Sequence, residues 1–166
     1  MIMKKLAAIT VILSALAGNA FADIAMCPQK SSIKQQKEAE GWSYSAIGPN
    51  GRLWVGENPY AEEEHLETFK FTGALYRDVS SEGNTDVVSC DYEGDDWFAF
   101  ARLTLYSFKD WASVPGTKWK SQSNNVKDGA HKKAKTIETC ESLSQKECAF
   151  NYSSLVKPQG KATADN

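Results

Sequence analysis

The residues and motifs that mark most enzyme sites are scarce in this chain of 166 residues. It has only two histidines, His65 and His131, and neither has the spacing of a zinc-binding HExxH motif. It also lacks a GxSxG nucleophile motif and a glycine-rich phosphate loop. We interpret both histidines as solvated loop residues. We therefore expect no metal, no cofactor and no enzymatic activity.

An excess of positive charge and long apolar runs are lacking as well, although AHKKAK at 130–135 is a short basic patch. The 19 basic and 21 acidic residues give a formal net charge of −2. Nucleic acid binding requires clustered positive charge, so nucleic acid is not an expected partner. Beyond the N-terminal segment, no apolar run reaches the roughly 20 residues that a membrane-spanning helix needs.

The N-terminus has the features of a secretory leader. Lys4 and Lys5 precede an apolar stretch of about ten residues, and Ala20-Phe21-Ala22 resembles a cleavage site. We predict a signal peptide over residues 1–22 and a periplasmic or secreted location. A single β-rich domain is then predicted over 23–156, with a disordered tail over 157–166.

Four cysteines remain after the leader: Cys27, Cys90, Cys140 and Cys148. An even number in an exported chain predicts disulfides, for which three pairings are possible. We favour Cys140–Cys148 as a local link and Cys27–Cys90 as a link from the N-terminus to a strand. A metal site is the weaker interpretation, because there is no CxxC spacing and no histidine lies near a cysteine.

Alternation and turn residues indicate a mainly β fold. Residues 42–57 are predicted to form a hairpin around the Pro49-Asn50-Gly51 turn, and further strands are expected at 68–79, 87–92 and 97–108. Residues 31–40 have helix-forming composition and are predicted to be a short N-terminal helix. The fold class is therefore an antiparallel sheet or meander of about five strands, sandwich-like or barrel-like, with two disulfides.

The acidic stretch EGDD, residues 93–96, lies between two predicted strands. Glycine and aspartate favour turns, so we interpret it as a hairpin loop in which Gly94 takes a positive φ. Two alternatives remain open. The carboxylates could bind a cation, although the stretch does not match a calcium loop, or they could act in catalysis.

The strand predicted after this loop, WFAFARLTLYSF, has two different faces. Alternation places Trp97, Ala99, Ala101, Leu103 and Leu105 on a core face. The opposite face mixes aromatic rings with an arginine, a composition found at protein interfaces; its members are Phe98, Phe100, Arg102, Thr104, Tyr106 and Phe108. This second face is either a binding surface or covered by another segment.

These features favour a non-enzymatic binding or accessory protein, similar to an inhibitor or an immunity protein. Its expected partner is an unknown protein or cell-envelope component. One alternative is a carbohydrate- or peptidoglycan-binding module in which Trp42, Tyr44 and Trp54 are stacking platforms. Another is a hydrolase using Glu57 or Glu93 with Asp95, which requires two carboxylates in one cleft.

Several motifs occur in an order that is familiar from one family. They are Cys27-Pro28, the GxxYSA stretch 41–46, Gly51 with Trp54 and Gly56, the stretch 69–74, Cys90-Asp91-Tyr92 and Cys148-Ala149-Phe150. This order resembles the domain of unknown function 3757 family of short exported bacterial proteins, over about residues 26–150. The resemblance implies a small secreted β-rich domain, and it carries over no catalytic residues. Cys148-Ala149-Phe150 stands where the family pattern has Cys-Pro-Phe.

Overall fold

The protein is built almost entirely from antiparallel strands. The computed structural model describes residues 22–122 and 134–156. Its strands are β1 (Asp23–Ala25), β2 (Lys34–Lys37), β3 (Trp42–Ile47), β4 (Leu53–Asn58), β5 (Lys70–Val79), β6 (Thr85–Glu93), β7 (Phe100–Leu105), β8 (Phe108–Lys109), β9 (Ala112–Ser113), β10 (Lys120–Ser121), β11 (Ile137–Glu141), β12 (Phe150–Tyr152) and β13 (Ser154–Leu155). The helical elements are one turn of α-helix, α1 (His65–Thr68), and 3₁₀ turns at Lys30–Ser32, Pro49–Gly51 and Gln145–Cys148.

Eight of these strands form one large sheet in the order β10-β11-β5-β6-β7-β4-β3-β2. The β3–β4 hairpin is the one predicted from its turn residues. Asn50 and Gly51 have φ values of 55° and 70° there, a region that asparagine and glycine adopt most readily. The strands predicted at 68–79 and 87–92 are β5 and β6, which pair along most of their length.

The two faces of the large sheet differ in their side chains, and one of them, the inner face, forms the core. This inner face carries large side chains that are at most 1% exposed, namely Tyr44, Trp54, Val88, Tyr92 and Leu103. The two smaller sheets, β1-β12-β9 and β13-β8, pack against it. The Phe108 ring, for example, lies 5.9 Å from Trp54 and 5.0 Å from Phe150. The opposite face, which we call the outer face, carries exposed side chains such as Val55 and Arg102 together with the buried Val87 and Ser89.

Two disulfides connect distant parts of this core, and both favoured pairings are confirmed. Cys27–Cys90 joins the N-terminal segment to central strand β6 across 63 residues. Cys140–Cys148 joins β11 to the last 3₁₀ turn across 8 residues. All four cysteines are buried, so the bonds are part of the core.

The predicted N-terminal helix over 31–40 is wrong. The segment forms a 3₁₀ turn and then β2, which pairs with β3 as the edge of the large sheet. A helix of ten residues with only Ile33 and Ala39 apolar has no amphipathic face to bury. As an edge strand the same segment buries Ile33 and exposes Lys34 and Lys37, and lysines discourage pairing with another chain.

The prediction of about five strands was also too low, and the barrel-like alternative is wrong. The large sheet alone has eight strands and is open, ending at β10 and β2. Most of the predicted leader (residues 1–21), the predicted tail (157–166) and His131 lie outside the described residues. Within the described ranges, no helix is long and apolar enough to cross a membrane.

Candidate functional site

The outer face of the large sheet carries shallow depressions that follow the strands. One of them, of about 560 Å³, lies across β2, β3 and β4, with Lys34, Ser45 and Val55 in its lining. Two others, of about 380 and 290 Å³, meet at Asp91 and Arg102. A broad, shallow surface of this kind is suited to contact with a macromolecule more than to enclosing a small ligand.

Four exposed aromatic side chains stand at one end of this face, where the β6–β7 connection meets the segment after β4. We call Tyr60, Trp97, Phe98 and Phe100 the aromatic tip. Their exposed fractions are 64%, 88%, 45% and 43%. The rings of Tyr60 and Phe98 are in contact, with centroids 5.5 Å apart. Several exposed aromatic rings at one end of a sheet face are typical of an interaction site.

Asn58, at the end of β4, holds the aromatic tip in place. Its side chain is completely buried. The amide nitrogen donates to the carbonyl oxygens of Phe98 and Phe100 at 2.8 and 2.9 Å, and the amide oxygen accepts from the Tyr60 N–H at 2.9 Å. One side chain therefore ties both segments of the tip to the sheet, so the rings are presented on a rigid support.

Gly94, Asp95 and Asp96 of the EGDD stretch are part of the connection between β6 and β7, as predicted, whereas Glu93 is the last residue of β6. The glycine has another role than the one predicted. Gly94 does not have a positive φ. A Cβ on Gly94 would instead lie 2.1 Å from Thr68 Oγ1, because the loop packs tightly on the end of α1. Thr68 Oγ1 also accepts from the Asp95 N–H at 3.3 Å. The glycine is thus required by close packing.

The two aspartates of this loop make local contacts. Asp95 pairs with Lys70 at 3.2 Å, and Asp96 Oδ1 accepts from the Phe98 N–H at 3.0 Å. His65, expected to be solvated, is buried beside them because it forms the start of α1. Its Nδ1 accepts from the Glu62 N–H, and its Nε2 lies 3.9 Å from Asp96. These contacts stabilise the base of the aromatic tip.

Arg102 lies in the middle of the outer face and forms a bidentate pair with Asp91 on the neighbouring strand. The two nitrogen–oxygen distances are 2.6 and 2.8 Å. These hydrogen bonds raise the pKa of Arg102. Burial and the nearby positive charge of Arg102 lower the pKa of Arg77, on β5. Arg102 is accessible, but its charge is largely neutralised within the sheet.

The predicted stacking surface of Trp42, Tyr44 and Trp54 is not exposed. Tyr44 and Trp54 are 1% exposed because both point to the inner face of the hairpin, and Trp42 is half-buried. A stacking platform for a sugar ring requires at least two exposed aromatic rings. These three residues do not provide them, so they do not support the carbohydrate-binding hypothesis. Alternation along β3 places Trp42, Tyr44 and Ala46 on the same side of the strand, and that side faces the core.

The predicted aromatic face after EGDD is only partly one surface. Phe108 was wrongly placed on it and is fully buried in the core, because the chain changes direction at Ser107, whose φ is 75°. Phe98 and Phe100 belong to the aromatic tip, whereas Tyr106 lies about 20 Å further along the chain. There the guanidinium of Arg52 covers its ring, 5.3 Å from the centroid. Trp97 was wrongly placed in the core. The Asp96 turn delays β7 until Phe100, so the alternation does not extend back to Trp97.

The carboxylates of the hydrolase hypothesis do not converge in a cleft. Glu57, Glu93 and Asp95 are all exposed, and Asp95 is paired with Lys70. Within residues 22–122 and 134–156, no group of three or more His, Cys, Asp or Glu side chains is arranged to hold a metal ion. Chemistry by paired carboxylates therefore has no geometric support at these positions.

Sequence reasoning missed Tyr60 and Asn58. The Asn58-Pro59 dipeptide is a turn signal and could have identified the end of β4. The hydrogen bonds of Asn58 to Phe98 and Phe100 cross about 40 residues of chain. No local pattern predicts a contact of that range, and so the joint surface of the two segments was not apparent.

Taken together, the fold and the site define a mainly antiparallel β domain with two disulfides, an open outer sheet face and a rigid aromatic tip. The chain belongs to the family described as "Protein of unknown function (DUF3757)", whose model matches residues 21–151. A comparison with curated proteins and a comparison with solved structures each found no match.

Proposed function

We propose that this chain is an exported, non-enzymatic binding protein whose aromatic tip contacts another protein or an envelope component. The observation that carries the proposal is the exposure of four aromatic side chains on a rigid support. Trp97 is 88% exposed, and tryptophan and tyrosine are the residues that most often dominate binding energy.

The rigidity of the tip supports this proposal. Ordering of flexible side chains and loops on binding costs about 0.5–1.5 kcal/mol per side chain. Asn58 and Asp96 already fix the backbone around Phe98 through hydrogen bonds. A preorganised apolar surface therefore retains more of its contact energy as affinity, as expected of an inhibitor or immunity-like protein that binds a folded partner.

Export is also part of the proposal. The predicted leader over residues 1–22 supports it. The two disulfides support it as well, because such bonds persist mainly in oxidising compartments. Cleavage after Ala22 would remove no residue of β1, since that strand starts at Asp23.

The test is affinity capture with the oxidised protein, produced from the full chain in an exporting host. The protein is the bait. It is incubated with an envelope extract, from which bound proteins are identified by mass spectrometry, and separately with purified peptidoglycan, for which co-sedimentation is measured. The paired variant Trp97→Ala with Phe98→Ala removes the centre of the tip. Leu143→Ala, at a site 79% exposed and outside the tip, is the matched control.

We expect a partner that binds the natural protein and the Leu143→Ala control about equally. Loss of two central rings should weaken its binding by roughly 30-fold or more, as for a hot spot. The proposal would be refuted if the paired variant bound the partner as tightly as the natural protein. It would also be refuted if nothing were captured specifically from either source.

A further inference from the structure

We infer that the aromatic tip recognises a basic protein surface, an inference that rests on the proposed function. The two segments that carry the tip are strongly acidic. Residues 57–67 contain five acidic residues and residues 91–100 contain four, with no lysine or arginine in either segment. The tip is therefore an apolar centre surrounded by carboxylates.

Part of this negative charge is balanced within the described chain. Lys30 pairs with Glu67 at 3.4 Å, Lys70 pairs with Asp95, and Arg102 pairs with Asp91. Within the described ranges, five of the nine carboxylates of these two segments have no ion pair. They are Glu57 and the four residues that we call the acidic rim: Glu62, Glu63, Glu64 and Glu93.

The acidic rim lies next to the rings. Glu62, Glu63 and Glu64 follow Tyr60 after one residue, and all three are exposed. Glu93 is the direct cross-strand partner of Phe100, and both side chains point to the outer face. A surface that covers Phe100 therefore also meets Glu93, and one that covers Tyr60 reaches a segment with three exposed carboxylates within four residues.

The chemistry of the rim selects among possible occupants. Anionic lipid headgroups and nucleic acid phosphates would be repelled by uncompensated carboxylates. Lysine and arginine side chains would be attracted, and an arginine can also stack on a tryptophan face. The occupant that satisfies both features is a protein with basic side chains around an apolar site, with association steered by charge.

The experiment uses a phage-displayed library of random twelve-residue peptides as the probe. The oxidised protein is the target, and clones that also bind the Trp97→Ala, Phe98→Ala variant are removed. Selected peptides are synthesised and titrated against two charge variants. In the first, Glu62, Glu63 and Glu64 become glutamine. In the second, the matched control, the same change is made at the exposed residues Glu40, Glu82 and Glu141.

We expect the selected peptides to be rich in lysine or arginine. Neutralising Glu62, Glu63 and Glu64 should weaken their binding about tenfold at low salt, and less at high salt, where exposed charges are screened. The control variant should remain within about twofold of the natural protein, because its charges are not part of the rim.

The other outcomes separate the inference from the proposed function. The selected peptides could depend on the tip but lack basic residues, or could bind the Glu62, Glu63, Glu64 variant as tightly as the natural protein. Either result would overturn the inference of a basic partner and would leave the proposed binding function in place. A library that yields no tip-dependent peptide would count against both. Sedimentation of the protein with anionic phospholipid vesicles, abolished in the Trp97→Ala, Phe98→Ala variant, would overturn the inference in favour of a membrane surface.

Discussion

Replacing Asn58 tests whether one buried side chain supports the aromatic tip. Asn58→Ala removes two hydrogen bonds to the carbonyl oxygens of Phe98 and Phe100 and one from the Tyr60 N–H. The variant should be less stable, and its tip should be less ordered. The expected effect is larger than for an ordinary polar substitution because Asn58 is 0% exposed.

The magnitude follows from the number of lost hydrogen bonds. At about 1 kcal/mol net for each bond, three bonds amount to about 3 kcal/mol. With a urea m-value of about 2 kcal/mol/M, the unfolding midpoint should fall by about 1.5 M. Unfolding is followed by circular dichroism under oxidising conditions, so that both disulfides stay intact.

Two further variants show whether the loss comes from the hydrogen bonds. Asn58→Asp keeps the size of the side chain but turns an oxygen toward the two carbonyl groups, so it should be at least as destabilising as Asn58→Ala. Gln36→Ala changes an exposed residue of β2 and should shift the free energy of unfolding by less than about 0.5 kcal/mol. An Asn58→Ala protein as stable as the Gln36→Ala control would refute the reasoning.

Three other predictions concern the disulfides, pH and packing. In the chain-entropy model, removing Cys27–Cys90 by alanine should cost about 4 kcal/mol and removing Cys140–Cys148 about 2.5 kcal/mol; denaturant titration that gave the reverse order would contradict this. Burial raises the pKa of Tyr92. Its contribution to stability is therefore complete below about pH 10 and is lost as the pH rises further, since the unfolded chain ionises first. Tyr92→Phe should flatten the fall in urea midpoint between about pH 9.5 and 11.5, and an unchanged slope would exclude this origin. Gly94→Ala should cost about 1–3 kcal/mol through the contact with Thr68 Oγ1, and Thr68→Ala should restore part of that loss; equal stability of the single and double variants would rule out the clash.

The features that could be predicted from sequence are those with a local cause. The β3–β4 hairpin follows from Pro49-Asn50-Gly51, whose backbone preferences reverse the chain within a few residues. The disulfide partners followed from chain order together with the predicted position of Cys90 in a strand. Strands β5 and β6 were also predicted in place, although the bulge between Phe71 and Gly73 shifts the buried positions of β5 to Ala74 and Tyr76.

The features that were missed depend on contacts between distant segments. Residues 34–37 are a strand only because β3 offers a free edge. Trp97 is exposed because Asp96 turns the chain before β7 begins, which the alternation of its neighbours does not reveal. The tip itself exists because Asn58 links two loops, and a single buried amide leaves no pattern in the sequence.

The central claim is that the aromatic tip is the contact surface for a partner. The most direct measurement is the dissociation constant of the captured partner for the natural protein and for the Trp97→Ala, Phe98→Ala variant. We predict an increase of roughly 30-fold or more in the variant, with Leu143→Ala unchanged. Equal dissociation constants for all three proteins, with the variant folded by circular dichroism, would contradict the claim.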